Sequence, residues 1–370
     1  MRTPYFLIDE KKLKENLIIL KDVAEKSGAR ILLAQKAYSV YQTYPLVASY
    51  LSGSTASGLY ECRLAKEELP GEVHVFSPAY RDDEFDEILE YADHIVFNSC
   101  SQVKKFTGKA KEKGRSVGLR LNPECSTQEG HAIYDPCAPG SRLGVTVGSF
   151  DPSVLPCLDG VHIHTLCEQN ADALAITVDA LERKFGPYLY GLKWINLGGG
   201  HHITRNDYDR DLLIGIVRRL TEKYDVQVYL EPGEAIALNA GTLETTVLDI
   251  VRNGDTEIAI LDASAACHMP DVLEMPYRPP LKGSGNPGEK RYIYRLAGNT
   301  CLAGDVIGDY SFDEPLTIGA RLSFEDMAIY TIVKTNTFNG MGLPSIVLLE
   351  ENGNCKILKD FSYKNFKDRL

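Results

Sequence analysis

Apolar and polar residues alternate along the chain in two different rhythms. Between about residue 30 and residue 240, short runs rich in β-branched residues alternate with longer segments in which apolar residues recur every three or four positions. In the segment 209–224, for example, Leu213, Ile216 and Leu220 fall on one helical face. This part of the chain is therefore predicted to alternate strands with helices.

Eight short apolar runs in this region are predicted to be strands. Helical patterns such as 82–92 and 171–185 lie between them. The eight runs are 30–38, 53–58, 72–78, 94–99, 116–123, 160–166, 194–200 and 226–233. Eight strands alternating with helices over about 210 residues are typical of a (β/α)8 barrel, and a doubly wound open sheet is the alternative.

The pattern changes after about Leu243. Runs of β-branched and aromatic residues now follow one another between Gly, Pro and Asn turns, which indicates strands without helices. These runs are 258–261, 292–296, 321–324, 330–334 and 345–349. The segment 269–290 is rich in proline and glycine and predicts an irregular loop. We therefore predict an α/β fold, with a (β/α)8 barrel at 21–241 and a C-terminal all-β domain at 242–370 that includes 1–20.

Composition and charge narrow the functional classes. With 44% hydrophobic and 25% charged residues among 370, the chain has the composition of a globular protein. A net charge of −11 argues against sequence-independent binding of nucleic acid. It would attract a cationic small molecule, but mild acidity is also the ordinary state of a cytosolic protein. No apolar stretch is long enough for a membrane span, and no leader pattern is visible. The nine cysteines form no CxxC pair, so we expect free thiols and a cytoplasmic location.

Reactive side chains of such barrels lie where strands end and loops begin. Lys36 follows the apolar run 31–34, where desolvation would lower its pKa and make its amine nucleophilic. A lysine that merely reaches solvent is the alternative. In the sixth run, His162 and His164 share one side of the strand. No third residue has matching metal-ligand spacing, so a histidine that faces a flat cofactor is favoured over a metal site.

The seventh and eighth runs end in residues suited to an anion and a ring nitrogen. Gly198, Gly199 and Gly200 would let backbone N–H groups approach a phosphate, which barrels often hold at this position. Glycine runs also form ordinary turns, so this signal is weak alone. Glu231 is expected inside the barrel mouth, where a carboxylate can keep a pyridine nitrogen protonated.

In chain order, these positions resemble the fold type III pyridoxal-phosphate superfamily, which contains alanine racemase and the ornithine and diaminopimelate decarboxylases. The similarity covers nearly the whole chain. In the β-rich half, 298–305 resembles the decarboxylases' Cys-x-x-Gly-Asp segment, 324–330 their tyrosine-bearing segment, and 338–340 their closing segment.

The resemblance implies roles for these residues. Lys36 would hold pyridoxal 5'-phosphate covalently, His164 would stack on its ring, and Glu231 would hydrogen-bond its nitrogen. The three glycines and Tyr330 would hold the phosphate. Cys301 would donate a proton to the substrate Cα after CO2 leaves.

Asp305 would orient the substrate by the same resemblance. In this family Cys301 and Asp305 come from the partner subunit, which implies a homodimer with shared active sites.

Two departures from the ornithine and diaminopimelate decarboxylases concern the substrate. Their Glu-Pro-Gly motif continues with arginine, but here it continues with Glu234. Their histidine strand continues with Gly-Ser, but here it reads Thr165-Leu166-Cys167-Glu168. Acidic side chains suit a polyamine, whereas arginine suits a second carboxylate. The departures resemble the branch of the family that converts carboxynorspermidine or carboxyspermidine to norspermidine or spermidine.

A carboxylated triamine carries two ammonium groups beyond its α-amino acid head. Glu234 is the candidate acceptor for the nearer one and Asp271 for the farther one, with Glu274 in reserve. Three alternatives remain: an alanine-racemase-like enzyme, a diaminopimelate, ornithine or arginine decarboxylase, and a non-catalytic homologue that binds a partner.

Overall fold

The computed structural model describes residues 1–128 and 132–370, and the chain divides into two compact units. One unit comprises Lys14–Ile236. The other combines Met1–Leu13 with Ala237–Leu370. Among the described residues, none of the helices combines the length and apolarity that a membrane crossing requires.

The unit Lys14–Ile236 is built on a closed barrel of eight parallel strands, which we number one to eight. In order they are Arg30–Ala34, Gly53–Ala56, Glu72–Phe76, His94–Phe97, Ser116–Arg120, Gly160–His162, Trp194–Asn196 and Gln227–Leu230. The first strand pairs with the eighth, with Arg30 beside Tyr229, and this pairing closes the barrel. All eight predicted strands are confirmed, and the open-sheet alternative is wrong.

Helices follow the amphipathic segments between the strands. The segment Arg210–Tyr224 begins at Asp209, whose side chain accepts the N–H of Leu212, and it ends at Asp225 in the left-handed region. The α-helices up to residue 237 are Glu10–Ser27, Tyr44–Ala48, Leu59–Glu68, Asp82–Tyr91, Cys100–Glu112, Ala171–Phe185, Arg210–Tyr224 and Glu234–Ala237.

Short 3-10 helices occupy several of the connections. Their bounds are Tyr41–Thr43, Ala132–Tyr134, Val147–Ser149, Pro152–Cys157, Gly186–Tyr188 and Phe338–Gly340.

Trp194 fills the amino-terminal end of the barrel interior. Its ring packs with Leu32, Val96 and Tyr229. Glycines on the two preceding strands make room for it, because a Cβ at position 118 or 160 would lie 2.2 or 2.0 Å from ring atoms. This end of the barrel is therefore a packed core, which leaves the carboxyl ends of the strands for chemistry.

The second unit is an eight-stranded, mostly antiparallel sheet. Its strands are Tyr5–Asp9, Gly241–Asn253, Thr256–Leu261, Tyr292–Ala297, Val306–Phe312, Arg321–Glu325, Ser345–Leu349 and Cys355–Lys359. The N-terminal strand Tyr5–Asp9 lies between Gly241–Asn253 and Ser345–Leu349. Short helices in this unit span Ala265–His268, Asp271–Glu274 and Tyr363–Lys367.

One predicted strand of this unit is wrong. Residues 330–334 form turns, with the N–H of Lys334 bonded to the carbonyl of Tyr330 at 3.0 Å. Tyr330 has a φ of 52°, in the left-handed region, which no strand accommodates. The aromatic and β-branched residues of the segment 330–334 thus predicted a strand, which the backbone conformation at Tyr330 excludes.

Candidate active site

The carboxyl ends of the barrel strands enclose a cavity of about 190 Å³. One water molecule in the liquid occupies about 30 Å³. The cavity is several times larger, so it admits a small organic molecule. Polar and aromatic side chains from several strands line it together. They include Lys36, Phe76, Arg120, His162, His164 and Glu231.

Lys36 reaches this cavity from a turn that begins where the first strand ends. The turn is closed by the N–H of Ala37 on the carbonyl of Ala34 at 3.1 Å. Gln35 is fully buried and donates to the carbonyl of Glu61 at 2.8 Å, which anchors the turn. Burial removes water from the amine and lowers the pKa of Lys36, and the positive charge of Arg120 lowers it further. Its amine is thus more readily neutral and nucleophilic.

Glu231 remains ionised although it is buried. Asn196 Nδ2 donates to Oε1 at 2.7 Å, and His162 Nε2 lies 3.2 Å from Oε2. Burial opposes ionisation of the carboxyl, but His162 and Asn196 outweigh it and hold its pKa at about 2. The cavity therefore contains a fixed negative charge.

His164 is oriented by a backbone group. Its Nδ1 accepts the N–H of Gly199 at 3.0 Å, and its ring lies 19° from parallel to that of His162, 6.5 Å away. Burial, together with the positive charge of Lys36, lowers the pKa of His164 well below its ordinary value. The neutral ring therefore carries its proton on Nε2.

Arg120 and Asn196 are site residues that the sequence interpretation missed. Arg120 ends the fifth strand, donates to the carbonyl of His164 at 3.2 Å, and lies 4.6 Å above the Phe76 ring. Burial lowers the pKa of Arg120 to about 10, so it stays charged at neutral pH. Arg120 and Asn196 are both polar residues that end an apolar strand. The same signal in the sequence identified Lys36 and Glu231.

The three glycines form a close contact between neighbouring loops. A Cβ on Gly198, Gly199 or Gly200 would lie between 2.2 and 2.5 Å from a carbonyl oxygen of an adjacent loop. Gly198 donates its N–H to Asn196 Oδ1 at 2.8 Å, and Gly199 donates to His164. Their phosphate-binding role stays a prediction, and these two donors already have partners within the protein.

Glu234 begins the short helix Glu234–Ala237, three residues beyond Glu231. Its Oε2 lies 3.1 Å from His202 Nε2. Glu168, from the loop after the sixth strand, belongs to the same group of side chains, whose polar atoms lie within 4.8 Å of one another. The acidic position noted in the sequence is therefore part of a larger cluster.

A second cluster of possible metal ligands lies at the opposite end of the barrel and comprises Glu72, His74 and His94. The two imidazole rings are stacked 4.0 Å apart and 9° from parallel. One ion cannot lie in both ring planes, and Arg30 already binds Glu72. This cluster is therefore not suited to a shared metal ion.

In the sheet unit, the loop that carries Cys301 is held from two sides. Cys301 is exposed, and its backbone N–H donates to Asn339 Oδ1 at 2.7 Å. Asp305 is 3% exposed and accepts hydrogen bonds from Ser264 Oγ at 2.8 Å and Thr300 Oγ1 at 2.7 Å. With its carboxylate engaged in this way, Asp305 connects Ser264 to the loop, and its expected role toward a substrate stays a prediction.

The two acids expected to bind a distal amine share a partner in this chain. Lys334 Nζ lies 2.5 Å from Asp271 Oδ1 and 3.1 Å from Glu274 Oε2. Tyr330, expected at the phosphate, is half-buried in the turn described above. The roles of these three residues toward a ligand stay predictions.

Comparisons with known proteins agree with this architecture. Residues 17–328 match the family model described as pyridoxal-dependent decarboxylase, C-terminal sheet domain. A carboxynorspermidine/carboxyspermidine decarboxylase of Campylobacter jejuni is 42% identical over 100% of this chain and 98% of its own. A carboxyaminopropylagmatine decarboxylase of Synechocystis is 40% identical over 100% of this chain and 95% of its own.

A solved structure shows the same likeness. The carboxynorspermidine decarboxylase of Campylobacter jejuni complexed with norspermidine superimposes with a TM-score of 0.93 at 42% identity, over 100% of both chains. The resemblance found in the sequence motifs is thus confirmed, both in the barrel and in the sheet. The chain therefore belongs to the family of pyridoxal-dependent decarboxylases.

Proposed function

We propose that the protein decarboxylates carboxynorspermidine or carboxyspermidine and forms norspermidine or spermidine. The observation that carries this proposal is the acidic Glu234, three residues after the cavity residue Glu231. By the motif resemblance, the Glu-Pro-Gly segment of the ornithine and diaminopimelate decarboxylases continues with arginine at this position. A carboxylate there favours a substrate with additional ammonium groups. The full-length relative from Campylobacter jejuni and its norspermidine complex support the same substrate class.

The cavity fits pyridoxal 5'-phosphate, the cofactor of this family. It brings together a lysine of lowered pKa, an ionised buried carboxylate and a neutral imidazole, which are the groups that an aldehyde and a protonated ring nitrogen require. Lys36, Glu231 and His164 would hold the aldehyde end, the ring nitrogen and the ring face. When bound, this cofactor withdraws electrons from the substrate Cα and so makes the loss of CO2 possible.

The protein contributes orientation and proton transfer. Lys36 Nζ must give up a proton before it can bond to a carbonyl carbon, and its enclosed position favours this. Glu231 can accept a hydrogen bond without being protonated because His162 and Asn196 stabilise its charge. After the bond from Cα to the carboxylate breaks and CO2 leaves, Cys301 Sγ would donate a proton to Cα, and water would then restore the thiol.

We also propose that the protein acts as a homodimer in the cytoplasm. In a homodimer, Cys301 of one subunit would serve Lys36 of the other, as the family resemblance implies. All nine cysteines are free, which supports a reducing compartment.

Side-by-side turnover measurements test the substrate. The holoprotein is incubated with carboxynorspermidine, carboxyspermidine, diaminopimelate, ornithine and arginine, and the decarboxylated products are quantified by mass spectrometry. We expect the two carboxylated triamines to have a higher kcat/KM than the three amino acids. A preference for diaminopimelate, ornithine or arginine would contradict the proposal.

Carboxyaminopropylagmatine is a second candidate substrate, because the relative from Synechocystis is 40% identical over the whole chain. It replaces the terminal ammonium of a triamine with a guanidinium group. Including it in the same assay separates the two candidates, since the higher kcat/KM identifies the preferred distal group.

A further inference from the structure

The turn that carries Lys36 is held on both sides of the lysine. The Lys36 side chain opens onto the cavity, whereas the adjacent Gln35 and Ala37 are fully buried. Gln35 donates its backbone N–H to the carbonyl of Thr55 at 3.2 Å, and its own carbonyl accepts Ser39 Oγ at 2.6 Å. Because the amine extends from this backbone, its position depends on how the turn is fixed.

The side chain of Gln35 is bound at both ends of its amide group. Nε2 donates to the backbone carbonyl of Glu61 at 2.8 Å, and Oε1 accepts the hydroxyl of Tyr44 at 3.1 Å. A carbonyl can only accept a hydrogen bond, so the NH2 group must face Glu61 and the oxygen must face Tyr44. These three residues therefore permit one orientation of the amide, and we call them the Gln35 network.

Tyr44 supplies the donor that this orientation requires. Its side chain is fully buried, and burial raises the pKa of Tyr44, so the hydroxyl keeps its proton at neutral pH. Tyr44 is the first residue of the helix Tyr44–Ala48, and Pro45 suits the first turn of this helix. The helix that follows the lysine turn therefore contacts that turn through one hydroxyl group.

Glu61 links the Gln35 network to a second part of the cavity wall. It lies in the helix Leu59–Glu68, which follows the second strand. Its carbonyl accepts the Gln35 amide, while its carboxylate Oε2 accepts the N–H of Ser57 at 2.6 Å. Ser57 lines the same cavity as Lys36. A displacement of the Gln35 side chain would therefore affect two sides of the cavity.

We propose that Tyr44 and Gln35 are positioning residues that place the Lys36 amine at the cofactor aldehyde. Both side chains are fully buried and neither lines the cavity, so they act on the amine through the backbone of the turn. A displacement of about 1 Å at a reacting atom can lower a rate about a hundredfold. This inference rests on Lys36 holding the cofactor, as proposed above, and applies to whichever carboxylated amine is the substrate.

Two substitutions remove parts of the Gln35 network, and a third serves as a matched control. Tyr44→Phe removes only the hydroxyl, and Gln35→Met replaces the amide with an apolar side chain of similar length. Tyr80→Phe also removes a buried hydroxyl, which donates to the carbonyls of Val75 at 3.1 Å and Val96 at 3.0 Å, but Tyr80 does not line the cavity. Circular dichroism and urea unfolding measure the fold and stability of each variant. Each is assayed with the substrate that the unmodified protein prefers.

We expect Tyr44→Phe and Gln35→Met to lower kcat about tenfold or more while KM stays within about twofold, because neither side chain contacts the substrate. The pH midpoint of the cofactor absorbance reports protonation of the nitrogen that joins Lys36 to the cofactor. This midpoint should shift by at least about half a pH unit in both variants, because the nitrogen is displaced among charged neighbours. Tyr80→Phe should leave kcat, KM and the midpoint unchanged, even at a similar loss of stability.

The double variant Tyr44→Phe/Gln35→Met shows whether the two residues act together. If they position Lys36 through one chain of hydrogen bonds, the double variant should have about the kcat of Gln35→Met alone. The reason is that loss of the amide already leaves the Tyr44 hydroxyl without its acceptor. If the effects of the two single substitutions on kcat multiply, the residues act independently and the proposal is wrong.

Different failures have different meanings. If borohydride labels a lysine other than Lys36, the proposed role of Lys36 is wrong and the positioning role falls with it. If Lys36 is labelled, but Tyr44→Phe and Gln35→Met lower kcat no more than Tyr80→Phe or leave the absorbance midpoint unchanged, the Gln35 network supports only the fold. A rise in KM without a fall in kcat would also contradict the positioning role, since the substrate site would then have changed.

Discussion

Individual side chains in the barrel cavity are held in defined ionisation states by their neighbours. Lys36 is enclosed and lies near Arg120, so its pKa is lowered. Glu231 lies near His162 and Asn196, so its pKa is about 2. At neutral pH the cavity therefore presents a reactive amine together with a stable anion, which is the combination that a pyridoxal-dependent reaction needs.

Lys36 is predicted to carry the cofactor covalently. Borohydride reduction of the holoprotein should fix the mass of the reduced cofactor on the peptide that contains Lys36, as measured by mass spectrometry. Lys36→Ala should lose this label and reduce kcat at least about a hundredfold, since no other group supplies the bond. Lys193→Ala, which alters an exposed lysine paired with Asp159, is the control and should keep the label. A label on another lysine would refute the assignment.

Acid stability should depend on Glu231. Its pKa falls from 4.5 to about 2 on folding, so the folded state is favoured above pH 4.5 and this contribution is lost as the pH falls toward 2. Urea unfolding of the apoprotein should show a falling free energy of unfolding across this interval, and a smaller fall in Glu231→Gln. Glu90 is exposed and pairs with Lys113, so Glu90→Gln should change the pH dependence of the free energy of unfolding only at low salt. If the free energy of unfolding of Glu231→Gln depends on pH as strongly as that of the unmodified protein, the prediction is wrong.

At the scale of elements, the fifth and sixth barrel strands are shaped by the ring of Trp194. Gly160→Ala places a methyl group 2.0 Å from this ring, so strand or ring must move. We expect a loss of about 1 to 3 kcal/mol in the free energy of unfolding, measured with urea. Gly108→Ala, in an open helical position, should instead stabilise by up to about 1 kcal/mol.

A double substitution shows whether Trp194 is the cause. Adding Trp194→Leu should make Gly160→Ala less costly than it is in the unmodified chain, because the clash is then removed. Additive effects would mean that another contact limits position 160.

The loop around Cys301 depends on a buried carboxylate. Asp305→Ala would leave the hydroxyl groups of Ser264 and Thr300 without their acceptor. Hydrogen exchange of the peptide 298–306 should accelerate, and kcat should fall because Cys301, the proposed proton donor, would no longer be positioned. Asp309→Ala removes an exposed ion pair with Arg295 from the next strand and should have little effect. Equal exchange in both variants would show that Asp305 does not support the loop.

At the scale of the whole molecule, the proposed homodimer predicts complementation. Chains with Lys36→Ala and chains with Cys301→Ala should each be inactive or nearly so. After subunit exchange, a heterodimer combines both lesions in one site and leaves the other site intact. We expect the mixture to approach about a quarter of the activity of unmodified protein, given random pairing in which half the dimers regain one site.

Activity and subunit exchange are measured separately in this experiment. If exchange is demonstrated by native mass spectrometry and the mixture stays inactive, the two residues act in the same subunit.

The barrel was predictable because its strands are buried on both faces. Continuous apolar runs such as Ile31–Leu32–Leu33 mark them directly, and eight runs with helices between them leave few topologies. The sheet unit was less predictable. Gly241–Asn253 and Val306–Phe312 lack a clear boundary in the sequence, and the turn at Tyr330 has the composition of a strand.

The candidate site was predictable where a single strand end carries the signal. Lys36, His164 and Glu231 follow apolar runs, and the structure brings all three to one cavity. Arg120 ends an apolar strand as well, so its position was available in the sequence, but its contact with the His164 carbonyl was not. His202 was missed because its contact with Glu234 joins two separate loops.

The sequence by itself determined the barrel, the class of the second unit and the positions of the lysine and glutamate, because burial pattern and strand ends are local properties. Tertiary structure alone decided the roles of groups with distant partners. Asp305 accepts two hydrogen bonds because Ser264 and Thr300 reach it, and Glu234 belongs to a cluster because three loops converge. Such contacts join residues far apart in the chain, so they cannot be predicted from the pattern of hydrophobic and polar residues.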